Sequence, residues 1–110
     1  MTLDEAFALV RDVPDFPEPG IVFKDIGPLL AAPDAFRTVV DALAASVPKG
    51  SVDKVVGMEA RGFILGAPVA LALGVGFVPV RKAGKLPGDS HAVSYALEYG
   101  EATLEIHQDA

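Results

Sequence analysis

Residues 53–80 constrain the fold more than any other part of the chain. Asp53-Lys-Val-Val-Gly-Met58 is a strand-length run, Glu59-Ala-Arg-Gly62 a tight polar loop, residues 63–73 are apolar nearly all round, and Gly76-Phe-Val-Pro-Val80 is a second strand-length run. A helix that is apolar on every side has to be covered. Strand, helix and strand with short connections therefore predict a βαβ unit with a parallel strand pair. Residues 53–58 are expected to be buried. Pro68 is expected to kink or break the helix, Gly74 to cap it, and Pro79 to mark an edge or a strand end. Glycines and two prolines interrupt residues 63–80, so this run is not a membrane span.

The flanking segments fill out an α/β chain. Residues 2–11 are expected to form a short helix, with Thr2 as cap, Asp4 and Glu5 in the first turn, and Leu3, Phe7 and Val10 on one face. Three prolines and a glycine in residues 13–20 forbid helix and predict a stiff extended arm. Residues 21–26 are β-prone. Residues 34–47 carry Phe36, Val39, Val40, Leu43, Ala44 and Val47 at steps of three and four, the clearest amphipathic helix, started by Pro33 and Asp34 and ended at 48–50. Residues 81–89 read as a mobile loop. Residues 90–97 and 103–107 read as two strands joined around Tyr99-Gly100. Two parallel strands and a hairpin make a thin sheet, so the chain is expected to be part of a larger fold.

Charge narrows the partners. The 110 residues carry 15 acidic and 9 basic side chains, a net charge of -6, which makes a poor general binder of nucleic acid. There is no cysteine, hence no disulfide framework and no thiolate metal site. The N-terminus begins acidic, without the basic stretch of a signal peptide. A soluble intracellular protein, not one bound to a membrane, is expected. His91 and His107 are isolated on β-like segments and read as ordinary residues rather than ligands.

Arg61, Arg81, Lys82 and Lys85 stand out against this acidic background. Glu59-Ala-Arg-Gly62 lies where a strand hands over to a helix, a place where amide groups and the positive helix end meet an anion. Gly62 would let the backbone approach a ligand, and Arg61 can grip phosphate oxygens. Arg81-Lys82 follows the second strand at its C-terminal end, so both loops should open on one side of the sheet. Two readings stand: a site for a polyanion such as a diphosphate, or a solvated mixed-charge loop with an ordinary turn. No G-x-G-x-x-G and no G-x-x-x-x-G-K-[ST] occurs. Glu98 can be part of a hairpin turn or an acid or base on a loop.

Taken in order, four segments carry a resemblance: Asp15-Phe-Pro-Glu-Pro-Gly-Ile-Val-Phe-Lys-Asp-Ile26, Val56-Gly-Met-Glu-Ala-Arg-Gly-Phe63, Pro79-Val-Arg-Lys-Ala-Gly-Lys-Leu-Pro87 and Tyr95-Ala-Leu-Glu-Tyr-Gly100. They resemble the adenine phosphoribosyltransferases in order and spacing, and Leu104-Glu-Ile-His-Gln-Asp-Ala110 continues the match. The resemblance implies a type I phosphoribosyltransferase fold, a parallel α/β sheet with helices. It places a hood at about residues 13–30, a core at about 34–82, and a flexible loop and hairpin at about 83–108. The implied reaction joins adenine to phosphoribosyl pyrophosphate (PRPP), giving AMP and pyrophosphate in purine salvage. Magnesium would accompany the pyrophosphate, and the implied enzyme is a cytoplasmic homodimer.

By the same resemblance, Val22, Phe23 and Lys24 form the adenine site, with Phe23 stacked on the purine and the backbone of Val22 and Lys24 reading its edge. Lys24 stands where some members carry arginine. Glu59, Ala60 and Arg61 belong to the pyrophosphate loop, with a cis Glu59–Ala60 bond, and Arg81, Lys82 and Lys85 add charge there. Residues 84–97 are the loop that closes over the reaction. Glu98 and Arg61 are the implied catalytic residues, Glu98 assisting proton movement at the purine, and Tyr99 covers the sugar. No side chain is assigned to a metal. The family's later segment, a hydrophobic strand with two aspartates and a loop ending Thr-Gly-Gly-Thr, has no counterpart here. The chain is therefore expected to be an N-terminal portion. The alternatives are an inactive fragment and a non-catalytic purine- or nucleotide-binding regulator of the same fold.

Overall fold

A computed structural model describes residues 1–97 and 100–110. The chain forms two compact units, Met1–Ser46 and Val47–Ala110.

The first unit begins with α1 (Leu3–Phe7), closed by a reciprocal capping box. The Glu5 amide donates to Thr2 Oγ1 at 3.1 Å and the Thr2 amide to Glu5 Oε1 at 3.0 Å. The expected helix over residues 2–11 ends at Phe7, Ala8 and Leu9 form a turn, and Arg11 belongs to a strand. Arg11–Pro14 form strand β1, paired antiparallel with β2 (Val22–Asp25). Arg11 meets Asp25 at 2.6 Å, and Lys24 meets Asp12 at 2.5 Å. The turn between the strands holds Asp15 at a φ of 57°, with Asp15 Oδ1 accepting from the Gly20 amide at 2.8 Å, and Phe16–Pro17 is cis.

Helix α2 (Gly27–Ala31) is absent from the sequence reading. It is only five residues long and too short to show a period, but Asp25 Oδ1 accepts from the Gly27 amide at its start. Helix α3 (Pro33–Ala45) matches the expected amphipathic helix. Its inner face differs from the one the spacing suggested: Ala35 is fully buried, while Leu43 is 44% exposed. Ala6, Leu29 and Ala35 form the core of this unit, with Val10, Leu30, Ala32 and Val39 against it. Small residues at the centre let α1 and α3 approach closely.

The second unit contains the βαβ motif. Strand β3 (Lys54–Met58), helix α4 (Arg61–Leu73) and strand β4 (Gly76–Lys82) are followed by β5 (Ser90–Leu97) and β6 (Gly100–His107). Sheet order is β3-β4-β6-β5. β3 and β4 are parallel, from Lys54↔Gly76 to Met58↔Val80, and β5 and β6 form an antiparallel hairpin. β6 reaches β4 only at Arg81 and Lys82. Pro79 therefore lies on a stretch of β4 that β6 does not pair, where a missing N–H is tolerated.

α4 runs unbroken through Pro68 and ends at Gly74, whose φ of 70° is the left-handed cap expected of a glycine there. It covers one face of the β3–β4 pair. Val69, Ala70 and Val78 are buried, and the alternate β3 residues Val56 and Met58 are 55% and 58% exposed. The expectation of a fully buried β3 is corrected: a strand alternates its side chains, and α4 lies on the Gly57 side only. Gly62 has a packing role that the sequence reading did not include. A Cβ on it would meet Gly57 backbone at 3.3 Å, so its bareness lets the helix approach the strand.

Candidate functional site

β3 and β4 run parallel, so their C-terminal ends lie side by side and release the two loops that the sequence singled out. Glu59–Ala60 follows β3 and is cis. Ala60 is the N-cap residue of the 13-residue helix α4, no side chain caps that helix end, and the Phe63 amide donates to the Ala60 carbonyl oxygen at 3.1 Å. Arg61 is the first helical residue and is exposed. Among the described residues Arg61 has no ion-pair partner.

The Glu59 side chain ties this loop to the end of β4. The side chain as a whole is only 9% exposed. Oε1 accepts from the Lys82 amide at 2.8 Å, Oε2 meets Lys85 Nζ at 2.9 Å, and Arg81 Nε lies 3.4 Å from Oε1. The Lys82 amide first, and then Lys85, hold the Glu59 pKa down at about 2. Arg81 is packed with its guanidinium 5.7 Å from the centre of the Phe63 ring. Its Nε is buried and forms no hydrogen bond among the described residues.

A second carboxylate holds the next part of the loop. Glu105 on β6 accepts from Ser90 Oγ at 2.5 Å and from the Gly84 amide at 2.7 Å, and these two bonds, the hydroxyl first, lower its pKa. His107 Nε2 lies 3.0 Å from the Pro87 carbonyl oxygen. Composition makes residues 81–89 a mobile loop, whereas the structure continues β4 through Lys82 and fastens the rest at Gly84, Lys85 and Pro87. Of residues 84–97, those from Ser90 to Leu97 are strand β5.

Glu59, Arg61, Arg81, Lys82 and Lys85 thus belong to one side of the second unit, as the strand order implied. Val22, Phe23 and Lys24 lie on β2 in the first unit. The Phe23 ring is half-buried and meets Phe16 edge-on at 5.2 Å, and Lys24 is held by Asp12. Glu98 and Tyr99 lie outside the described residues. Spacing alone did not reveal the roles of Glu105, Asp12 or Phe16. For Glu59 the signals were its place two positions before Arg61 and the resemblance that assigns it to the loop at 59–62. Among the described residues no three His, Asp or Glu side chains gather as for a metal ion. No helix is long and apolar enough to cross a membrane.

No protein-family model matches the chain. A protein of Nocardioides sp. named adenine phosphoribosyltransferase is 72% identical over 98% of this chain and 60% of its own length. Over nearly its whole length the chain is similar to adenine phosphoribosyltransferases. A solved adenine phosphoribosyltransferase from Thermoanaerobacter pseudethanolicus superposes with a TM-score of 0.92 at 50% identity, over 99% of this chain and 63% of that one. The Saccharomyces cerevisiae enzyme, solved with an imino-altritol bisphosphate and adenine, gives 0.91 at 44% identity, over 98% and 64%. The chain spans about 60% of the length of the curated relatives it matches. The fold is that of adenine phosphoribosyltransferases: a mixed parallel and antiparallel sheet with helices, as observed here.

Proposed function

We propose that the protein carrying this chain transfers the phosphoribosyl group of PRPP to adenine, yielding AMP and pyrophosphate. The observation that carries this reading is the uncapped N-terminus of α4, with Arg61 at its first position and Arg81 and Lys85 gathered beside it by Glu59. That is chemistry for a diphosphate: backbone amides, a helix end and forked or flexible cations. The identity to named adenine phosphoribosyltransferases supports the same reading.

In this reading a purine nitrogen attacks the anomeric carbon, the bond from that carbon to the diphosphate oxygen breaks, and diphosphate leaves with the electron pair. Arg61, Arg81, Lys82 and Lys85 would take up the charge that develops on the leaving group. Val22, Phe23 and Lys24 would hold the base, Phe23 by stacking and its neighbours by their backbone groups. Glu98 would assist the purine's proton, and Tyr99 would cover the sugar. Magnesium would arrive with the diphosphate and add positive charge to it. The described side chains form no cluster for a metal of their own, and the Glu59 carboxylate is already engaged. A homodimer in the cytoplasm completes the proposal.

The test uses this 110-residue sequence joined to the remaining C-terminal length of the Nocardioides relative. AMP formation from adenine, PRPP and magnesium is expected, with guanine and hypoxanthine far poorer substrates. Binding of adenine or AMP without turnover would instead favour a non-catalytic regulator. Guanine used as readily as adenine would refute the base assignment.

A further inference from the structure

Three groups surround the Glu59 carboxylate, the Lys82 amide and the Arg81 side chain from the end of β4 and Lys85 from the loop that follows, and the latter two are cations that the proposed function assigns to the diphosphate. The three contacts are unequal. The Lys82 amide is part of the strand backbone, and the Arg81 guanidinium is packed on Phe63. Lys85 is different: its side chain is 47% exposed and reaches Glu59 Oε2 from a loop residue, across a turn closed by the Lys85 amide and the Lys82 carbonyl oxygen at 3.3 Å. A carboxylate whose side chain is mostly covered thus occupies the charge of a lysine beside the start of α4.

We propose that Glu59 is a positioning residue that serves as an internal counter-anion: it holds Lys85 in place while the site is empty and surrenders it to the diphosphate when the ligand arrives. This inference rests on the reading of the site as a diphosphate site. The Lys82 amide bond stays in both states, so Glu59 keeps the end of β4 fixed while its second oxygen changes partner. Breaking the Glu59–Lys85 pair is a cost that the ligand has to meet. A half-exposed ion pair of this kind weakens anion binding by about two- to five-fold.

The variant that isolates the pair is Glu59→Gln, whose amide oxygen still accepts from the Lys82 N–H but no longer holds an ammonium group by charge. Inorganic pyrophosphate, with and without magnesium, is titrated calorimetrically into the 110-residue chain. Glu59→Gln is expected to bind about two- to five-fold more tightly than the unaltered chain, and less so as salt is raised. In a Lys85→Met background the gain should vanish, because no lysine remains to be released; a purely structural role for Glu59 would not give that pattern. Equal or weaker binding by Glu59→Gln, or a gain that persists without Lys85, overturns the inference and leaves the diphosphate reading standing. No pyrophosphate binding by the unaltered chain overturns both. Should Glu59→Gln fail to fold, the carboxyl carbon resonance of Glu59 in the unaltered chain decides: a shift on adding pyrophosphate supports the exchange, and an unmoved resonance at saturation overturns it.

Discussion

The carbonyl oxygen of Gly62 lies where a side chain on Gly57 would begin: a Cβ there would stand 2.5 Å from it and 2.7 Å from Phe77 Cε2. Strand β3 and the first turn of α4 are in backbone contact, and this closeness sets where Glu59, Ala60 and Arg61 emerge. At Gly66 the obstacle is different, since an added Cβ meets the edge of the Phe77 ring at 2.7 Å. A ring can turn, whereas a carbonyl fixed in a helix cannot.

Gly57→Ala is therefore expected to destabilise the chain by about 3 kcal/mol, the upper part of the range for overpacking, and Gly66→Ala by about 1 kcal/mol. Phe77→Leu should relieve Gly66→Ala and leave Gly57→Ala unimproved. Urea midpoints at unchanged slope measure both. Equal losses at the two glycines, or rescue of Gly57→Ala by Phe77→Leu, would contradict the account.

Acid should loosen the loop after β4. Glu59 moves from an ordinary 4.5 in the unfolded chain to about 2 in the folded one. A depressed carboxyl pKa contributes stability that is present above 4.5 and is lost as the pH falls through about 2. Glu105 is lowered by Ser90 and Gly84, and Asp25 by Arg11 and Gly27, so both act with the same sign. Carboxyl carbon shifts followed from pH 6 downward, with the amide proton of Lys82 as a second probe, should place the Glu59 transition well below that of free glutamate. A Glu59 midpoint near 4.5 would sink this prediction.

The two faces of the β3–β4 pair should respond unequally to polarity. Val78 is 8% exposed, and Val56 is 55% exposed. Val78→Thr buries a hydroxyl and is expected to cost about 1–3 kcal/mol, while Val56→Thr should stay within about 0.5 kcal/mol in this chain. Thermal unfolding of the two variants side by side is sufficient. A larger loss at Val56 would mean that α4 covers the other face.

Base recognition is tested at Phe23. In the chimaera with the Nocardioides C-terminal length, Phe23→Ala is expected to raise the KM for adenine about tenfold or more, from the loss of a stacking platform worth about 1–3 kcal/mol. The KM for PRPP should move far less. Phe16→Ala should have a smaller effect on adenine, because Phe16 touches the Phe23 ring edge-on at 5.2 Å and acts by orienting it. An unchanged adenine KM in Phe23→Ala would remove Phe23 from the adenine site.

Local signals in the sequence were read correctly where the determining interaction is itself local. The cap at Thr2 is made by Glu5, the stop at Gly74 needs only a left-handed residue, and the periodic apolar residues of α3 and the run from β3 to β4 each reflect a neighbouring surface. The loops at 59–62 and 81–85 could be placed on one side of the sheet because parallel strands joined through a helix have to end together. Tertiary structure decided what happens there. The Lys82 amide and Lys85 lie 23 and 26 residues from Glu59, and nothing within either loop states that one carboxylate will receive both; the register Met58↔Val80 brings them into reach. The place of Arg11 and Asp12 in a strand has the same cause, because they pair with Asp25 and Lys24 across a hairpin. So does the exposure of Val56 and Met58, since an apolar strand residue is buried only where a helix is laid over its face, and α4 covers one face of β3.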